Sequence, residues 1–242
     1  MYAVFKRELF SFLNSSVAYI TIGIFLLACA MLLWFFPSTS ILDYGYAELN
    51  GFFSLVPFLF MFLIPAITMR SFAEERREGT YVILATKPLF NTQIIAAKFF
   101  ACVALMLFAL LPTLIYYYSI YQLGFPKGNV DSGAVIGSYL GLFLLGNAFT
   151  AIGIFASSIT KNQVIAFAVA VFLCFFTFSG FESLGQLFEL QTFGVILINF
   201  GINEHYQSIS RGVLDTRDLV YFISFALMFL GLTKLAIGGR KW

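Results

Sequence analysis

Apolar runs of transmembrane length recur six times along this chain of 242 residues. A helix that crosses a bilayer needs about 20 consecutive apolar residues. Runs at 17–36, 52–69, 99–121, 133–159, 164–180 and 219–238 meet or approach that length with almost no charge inside them. A central Lys or Asp would cost about 3 kcal/mol of insertion, whereas each central Leu, Ile, Phe or Val contributes roughly −0.3 to −0.6 kcal/mol. Composition agrees, because 60% of the residues are hydrophobic and 11% charged, against roughly a quarter charged in soluble domains. The bilayer is therefore the solvent, and the expected fold is a single all-α integral membrane domain over 1–242 with six transmembrane helices. Cys29, Cys102 and Cys174 each fall inside an apolar run without metal-ligand spacing, so they read as small hydrophobes. The first run lacks a small-residue cleavage site and reads as an uncleaved anchor.

The first 14 residues have a different character. On a helical wheel Tyr2, Phe5, Leu9, Phe12 and Leu13 share one face while Arg7, Glu8, Ser11 and Asn14 occupy the other, the pattern of an amphipathic helix lying along the membrane surface. Orientation follows from the basic residues. With the N-terminus inside, Lys6, Arg7, Arg70, Arg76, Arg77, Lys87, Lys98, Lys161, Lys234, Arg240 and Lys241 are cytoplasmic, leaving Lys127, Arg211 and Arg217 outside; this divides the 14 basic residues eleven to three. The positive-inside rule then puts both termini in the cytoplasm. Tyr116, Tyr117, Tyr118 and Tyr121 fall at the outer interface, where rings with polar tips are favoured.

The most informative connection is EERREGTYVILATKP, residues 74–88, within an expected cytoplasmic loop spanning 70–98. Glu74, Glu75, Arg76, Arg77 and Glu78 support a charged helix leaving the membrane, in which Glu74 meets Arg77 favourably at i,i+3 and Glu78 unfavourably at i,i+4. Gly79 ends it, Thr80 can cap a second short helix, and Pro88 stops that helix after about two turns. Tyr81, Ile83 and Leu84 then form an apolar knob with charged flanks, shaped to dock; a solvated connector is the alternative. Outside, 181–216 is long for a loop and holds the apolar stretch 193–200, too short to span. One or two short helices that dip into the outer leaflet and return, or one interfacial helix, satisfy it.

The segment HYQSISRGVLDTRDLVYF, 205–222, leads into the last span. Asp215 and Asp218 fit acidic positions at a helix start. His205 is the only histidine, and its side chain and that of Glu204 point apart on a helix, so no metal cluster forms. Gly133, Gly137 and Gly141 make a strip on which another helix can approach closely, either within the subunit or across a dimer. Pro57, Pro65 and Pro112 lie inside spans and kink them. No span carries a central ionisable residue of the kind that a secondary transporter or pump uses. The sequence contains no phosphate-binding G-x-x-x-x-G-K-[ST] loop and no nucleophile constellation, so no catalytic residue, cofactor or metal is expected. Energy for any work must come from a partner.

On these residues the chain resembles the permease subunits of ABC-2-type transporters, the type V ABC exporter fold. The likeness covers the whole length, with Glu75 to Thr80 matching the E-x-x-x-G-T loop motif. Segment 205–222 resembles the stretch before the final span of bacterial ABC-2 permeases, among them those of the gliding-motility ABC transporters of Bacteroidota. The resemblance implies a bacterial inner-membrane location and an ABC ATPase dimer bound to the cytoplasmic face. It makes residues 80–86 the coupling helix, with Glu74 to Glu78 beside it and residues 1–14 against the ATPase. It also implies a second permease subunit, identical or a related membrane protein with an extracytoplasmic domain, and an outer gate region that includes Glu204, His205, Arg211, Asp215 and Asp218. No nucleic-acid partner is expected. Transport across the membrane and transmission of force to an extracytoplasmic partner are both compatible with that architecture.

Overall fold

The computed structural model describes residues 1–36, 41, 48–81, 90–187, 192–212 and 215–238. Among them every regular element is helical: α1 (Tyr2–Leu13), α2 (Ser16–Trp34), α3 (Asn50–Thr68), α4 (Arg70–Arg77), α5 (Asn91–Leu110), α6 (Leu114–Leu123), α7 (Ser132–Ile159), α8 (Gln163–Phe175), α9 (Phe181–Gln186), α10 (Thr192–Phe200), α11 (Ile202–Ser210) and α12 (Thr216–Gly238). Six helical stretches are long and apolar enough to cross a membrane. They match the six expected runs, all but the first with longer bounds. The second continues from α3 into α4, and the third runs from α5 through a 3-10 turn at Pro112 into α6. The fifth continues from α8 through a π-helical turn, Phe176–Gly180, into α9.

The central element is α7, which packs against α3, α4, α5, α8, α11 and α12. Lipid tails are as apolar as leucine, so helices associate here through close packing and hydrogen bonds rather than through hydrophobic burial. Small residues on α7 supply the closeness. A Cβ on Gly153 would lie 2.0 Å from Thr68 Oγ1 on α3, and one on Gly146 would lie 1.9 Å from Met106 Sδ on α5. Of the three glycines predicted to form a strip, Gly137 lies against the Gly212 backbone and Gly141 against Ile209 at the end of α11. Packing within the subunit therefore accounts for those two. Gly133 does not join them, because a Cβ there would meet only Asp131, whose carboxylate caps α7 by accepting the Gly133 and Ala134 N–H groups at 3.0 and 3.1 Å.

The prolines act selectively. Pro57 and Pro65 lie within a continuous α3, whereas Pro112 coincides with the 3-10 turn. Pro57 has no N–H to offer the carbonyl of Phe53 four residues earlier. That carbonyl instead accepts a 2.6 Å hydrogen bond from Tyr206 on α11. Between the fifth and sixth stretches lie two short helices, α10 and α11, in line with the one or two expected, while the first residues of the 181–216 region continue the fifth stretch as α9. Gly201, extended in backbone, separates α10 from α11, and Gly185 lets α9 press against Ile198 of α10.

Candidate functional site: a clamped helix and an open cavity

The two ends of the bundle carry different chemistry. At the α1 end, α4 extends α3 by eight residues, RSFAEERR. Met69, at the junction, cannot cap a helix with its side chain, so the orphan N–H groups of the first turn need another acceptor. Ser157 of α7 provides it. Its hydroxyl accepts from the Phe72 and Ala73 N–H groups at 3.0 and 3.1 Å and donates to the Met69 carbonyl at 2.9 Å. The Arg76 guanidinium, also buried, donates to the Ser158 carbonyl. Arg70 forms a two-pronged contact with Glu74 at 2.9 and 3.0 Å and reaches Ser15, at the start of α2, at 2.7 Å. Glu74 thus pairs with Arg70, one turn back, as well as lying near Arg77 as expected.

Below α4 lies a buried ionic cluster that the sequence reading did not anticipate. Lys98 of α5, counted there as a loop residue, is 1% exposed, because α5 begins at Asn91 and carries it into the packed bundle. Its ammonium donates to the Ser71 carbonyl at 2.6 Å, sits 5.0 Å from the centre of the Phe72 ring, and lies 3.1 Å from Glu8 Oε1 and 3.1 Å from Glu75 Oε2. The two carboxylate contacts are ion pairs in distance without hydrogen-bond alignment. Arg7 of α1 closes the cluster by donating to Glu75 at 2.7 Å and to Glu8. Partial burial disfavours charge on Arg7, yet its hydrogen bond to Glu8 and the Glu8 and Glu75 charges outweigh this and raise its pKa above the usual value. The face of α1 turned inward is Val4, Glu8 and Phe12, while Tyr2 is exposed. This corrects the expected division of that helix, because pairing with Lys98 places Glu8 on the packed side.

Gly79 ends α4 as expected, with φ of +72°, a conformation that glycine adopts without strain. Thr80 Oγ1 contacts the Glu75 carbonyl at 3.4 Å, at the end of α4; the short helix it was expected to cap lies outside the described residues. Tyr81 is not an exposed knob residue either. It is buried edge-on against Phe72, with ring centres 6.3 Å apart, and burial raises its pKa. Ile83 and Leu84 lie outside the described residues.

At the far end, a cavity of about 850 Å3 opens among α3, α7, the π-helical turn, α9 and α11. Beside it, His205 Nδ1 lies 2.7 Å from Asp218 Oδ1 and Nε2 lies 3.0 Å from the Asn199 carbonyl, with the ring stacked on Tyr221 at 3.8 Å. This joins α10, α11 and α12. Asp218 is therefore a buried partner of His205 rather than a second capping acid; Asp215 alone caps α12, accepting the Arg217 N–H at 2.9 Å. Glu204 takes no part in that pair. Arg211 lines the cavity, its Nε donating to the Gln207 carbonyl at 3.1 Å. Among the described residues no group of His, Cys, Asp and Glu could hold a metal ion.

Six membrane-crossing stretches, a charged helix fastened at one end and a cavity at the other define a multi-pass membrane protein with two chemically distinct ends. Residues 28–237 match the family model described as ABC-2 family transporter protein, and the chain belongs to that family. Membership makes it a membrane subunit, not a catalytic one, and implies an ABC ATPase partner and a permease pair. No curated protein matches the chain.

Proposed function

We propose that this chain is the permease of an ATP-driven exporter of the bacterial inner membrane. In this reading the α1 end faces the cytoplasm, and the segment after Gly79 docks on the ATPase. The observation that carries it is the continuity of α3 with α4. One helical path of 28 residues, Asn50–Arg77, runs from the cavity wall at Asn50 and Phe53 to the Gly79 turn. The clamp makes α4 move with α1, α5 and α7, so displacement of the docking segment by ATPase closure is passed on as a rigid-body change. Tyr206 couples the far end of that path to α11. The cavity favours transport over pure force transmission, and the likeness of segment 205–222 supports a transporter of the gliding-motility type.

Leu84→Asp tests the docking assignment. An unpaired charge in a partner groove costs several kcal/mol of desolvation, while the spans are untouched. The variant should reach the membrane at normal levels and lose co-purification with the ATPase, whereas Lys127→Glu should lose neither. Wild-type recovery of the ATPase with Leu84→Asp would reduce the segment to a solvated connector.

A further inference from the structure

The far-end cavity has a composition that selects among ligands. Its wall is aromatic: Phe58 lines it at 47% exposure, backed by the nearly buried Phe53, Phe178 and Tyr206. They are held by edge-on or tilted contacts, Phe53 to Tyr139 at 5.2 Å and Phe178 to Phe58 and Tyr206 at 5.7 and 6.3 Å. Its rim carries the carboxylates of Glu48, Asp131 and Glu182 against one cation, Arg211, among the described lining residues.

Among the described residues, no cation pairs with these carboxylates. Glu48 accepts from the Asn50 amide at 2.6 Å, Glu182 from the Asn203 amide at 2.6 Å, and Asp131 from two backbone N–H groups. Each of these donors is uncharged, and Arg211 is bonded to a backbone carbonyl. At the other end of the same molecule, Glu8, Glu74 and Glu75 each have a cationic partner. Acidic groups around a low-dielectric recess concentrate negative potential, and fixed aromatic faces attract cations while accepting apolar bodies. A volume of about 850 Å3 is within the range of drug-sized ligand pockets, roughly 300–1,000 Å3.

We propose that this cavity binds a cationic amphiphile, its apolar or aromatic body against Phe58 and the aromatic wall behind it and its positive head among Glu48, Asp131 and Glu182. The proposal deepens the exporter reading by naming a cargo class, and it rests on that reading only for what happens to the molecule after it binds.

The test is equilibrium dialysis of the full chain in zwitterionic lipid nanodiscs, with empty nanodiscs subtracted. The probes are tetraphenylphosphonium and tetraphenylborate, which match in shape and differ in the sign of their charge. The phosphonium should bind saturably and the borate should not. Asp131→Asn with Glu182→Gln keeps both sets of hydrogen bonds, since Asn caps helices as well as Asp. It should weaken phosphonium binding roughly tenfold or more by removing two attracting charges. Arg211→Ala should tighten it, and this variant decides the matter if the double variant does not assemble. Equal binding of the two probes, no saturable phosphonium binding, or no response to these substitutions overturns the proposal. The measurement needs neither ATP nor ATPase, so a chain that fails it while retaining its ATPase loses the cavity assignment and keeps the permease reading.

Discussion

The α4 clamp and the cavity rim handle charge in opposite ways. Around α4, two carboxylates (Glu8 and Glu75) face a buried cation, Lys98, and a half-exposed one, Arg7, so that the charges balance. Around the cavity, the carboxylates are bonded, among the described residues, to neutral groups. A balanced, buried cluster has one good arrangement and strong penalties for partial loss. An unbalanced, open rim tolerates change and leaves charge available to a visitor. In the proposed reading, the difference separates a part that transmits motion from a part that exchanges its contents.

The largest effect expected from breaking that contrast is at Lys98. Lys98→Met leaves Glu8 and Glu75 facing each other without their buried cation, at a cost of about 3–5 kcal/mol. The thermal midpoint of the purified subunit and its level in membranes should both fall sharply. Adding Glu75→Gln should recover most of the loss, because Arg7 and Glu8 then remain as a balanced pair. No recovery would show that Lys98 acts through packing alone. His205 comes next. His205→Ala removes the partner of a buried Asp218 carboxylate, worth about 1–3 kcal/mol, and frees α11 from α12. Protease accessibility of the 187–216 region should rise with less change in the global midpoint than Lys98→Met produces.

The glycines of α7 sharpen the comparison further. Gly153→Ala drives a methyl group into Thr68, and overpacking of this kind costs about 1–3 kcal/mol. Gly133→Ala meets only its own capping side chain and should be neutral or stabilising by up to about 1 kcal/mol from helix propensity. Similar melting behaviour for the two would refute the packing account. The smallest destabilisation belongs to Tyr206→Phe, which leaves the Phe53 carbonyl without a donor, at a cost of about 1 kcal/mol. In a Pro57→Ala background that cost should shrink, because the helix can then satisfy the carbonyl itself. A double-mutant cycle in melting temperature measures the coupling directly.

These pairs also show what could be read from the chain alone. Span count was legible because hydrophobic length is a one-dimensional property, and Gly79 as a helix end was legible because its backbone requirement is local. Lys98 was hidden because its burial depends on α1 and α4 folding over it, and nothing within its own helix distinguishes a loop lysine from a buried one. The helix start at Asn91, where Gln93 reaches back to the Phe90 N–H at 3.3 Å, was the only sequence signal that could have drawn Lys98 into a helix. Ser157 capping α4 from another helix, and Asp218 pairing with His205 across 13 residues, have no periodic signature at all. Tyr206 stands between these cases. Pro57 announces an orphan carbonyl in the sequence, but which hydroxyl answers it is a matter of tertiary structure.

One consequence follows from the length of α7. Ser138 donates to the Ser210 carbonyl of α11, and Ser157 holds α4. The two serines lie on one unbroken helix, and at 1.5 Å per residue their separation along its axis is about 28 Å. The hydrocarbon layer of a bilayer is about 30 Å thick. The helix therefore works as a calliper, gripping one polar element at each edge of the oil and fixing the distance between them by its own covalent length. A membrane that thins or thickens around this protein must tilt the calliper rather than stretch it. Tilting carries α4 and α11 together, so lipid thickness itself becomes a variable to which both ends of the molecule respond in step.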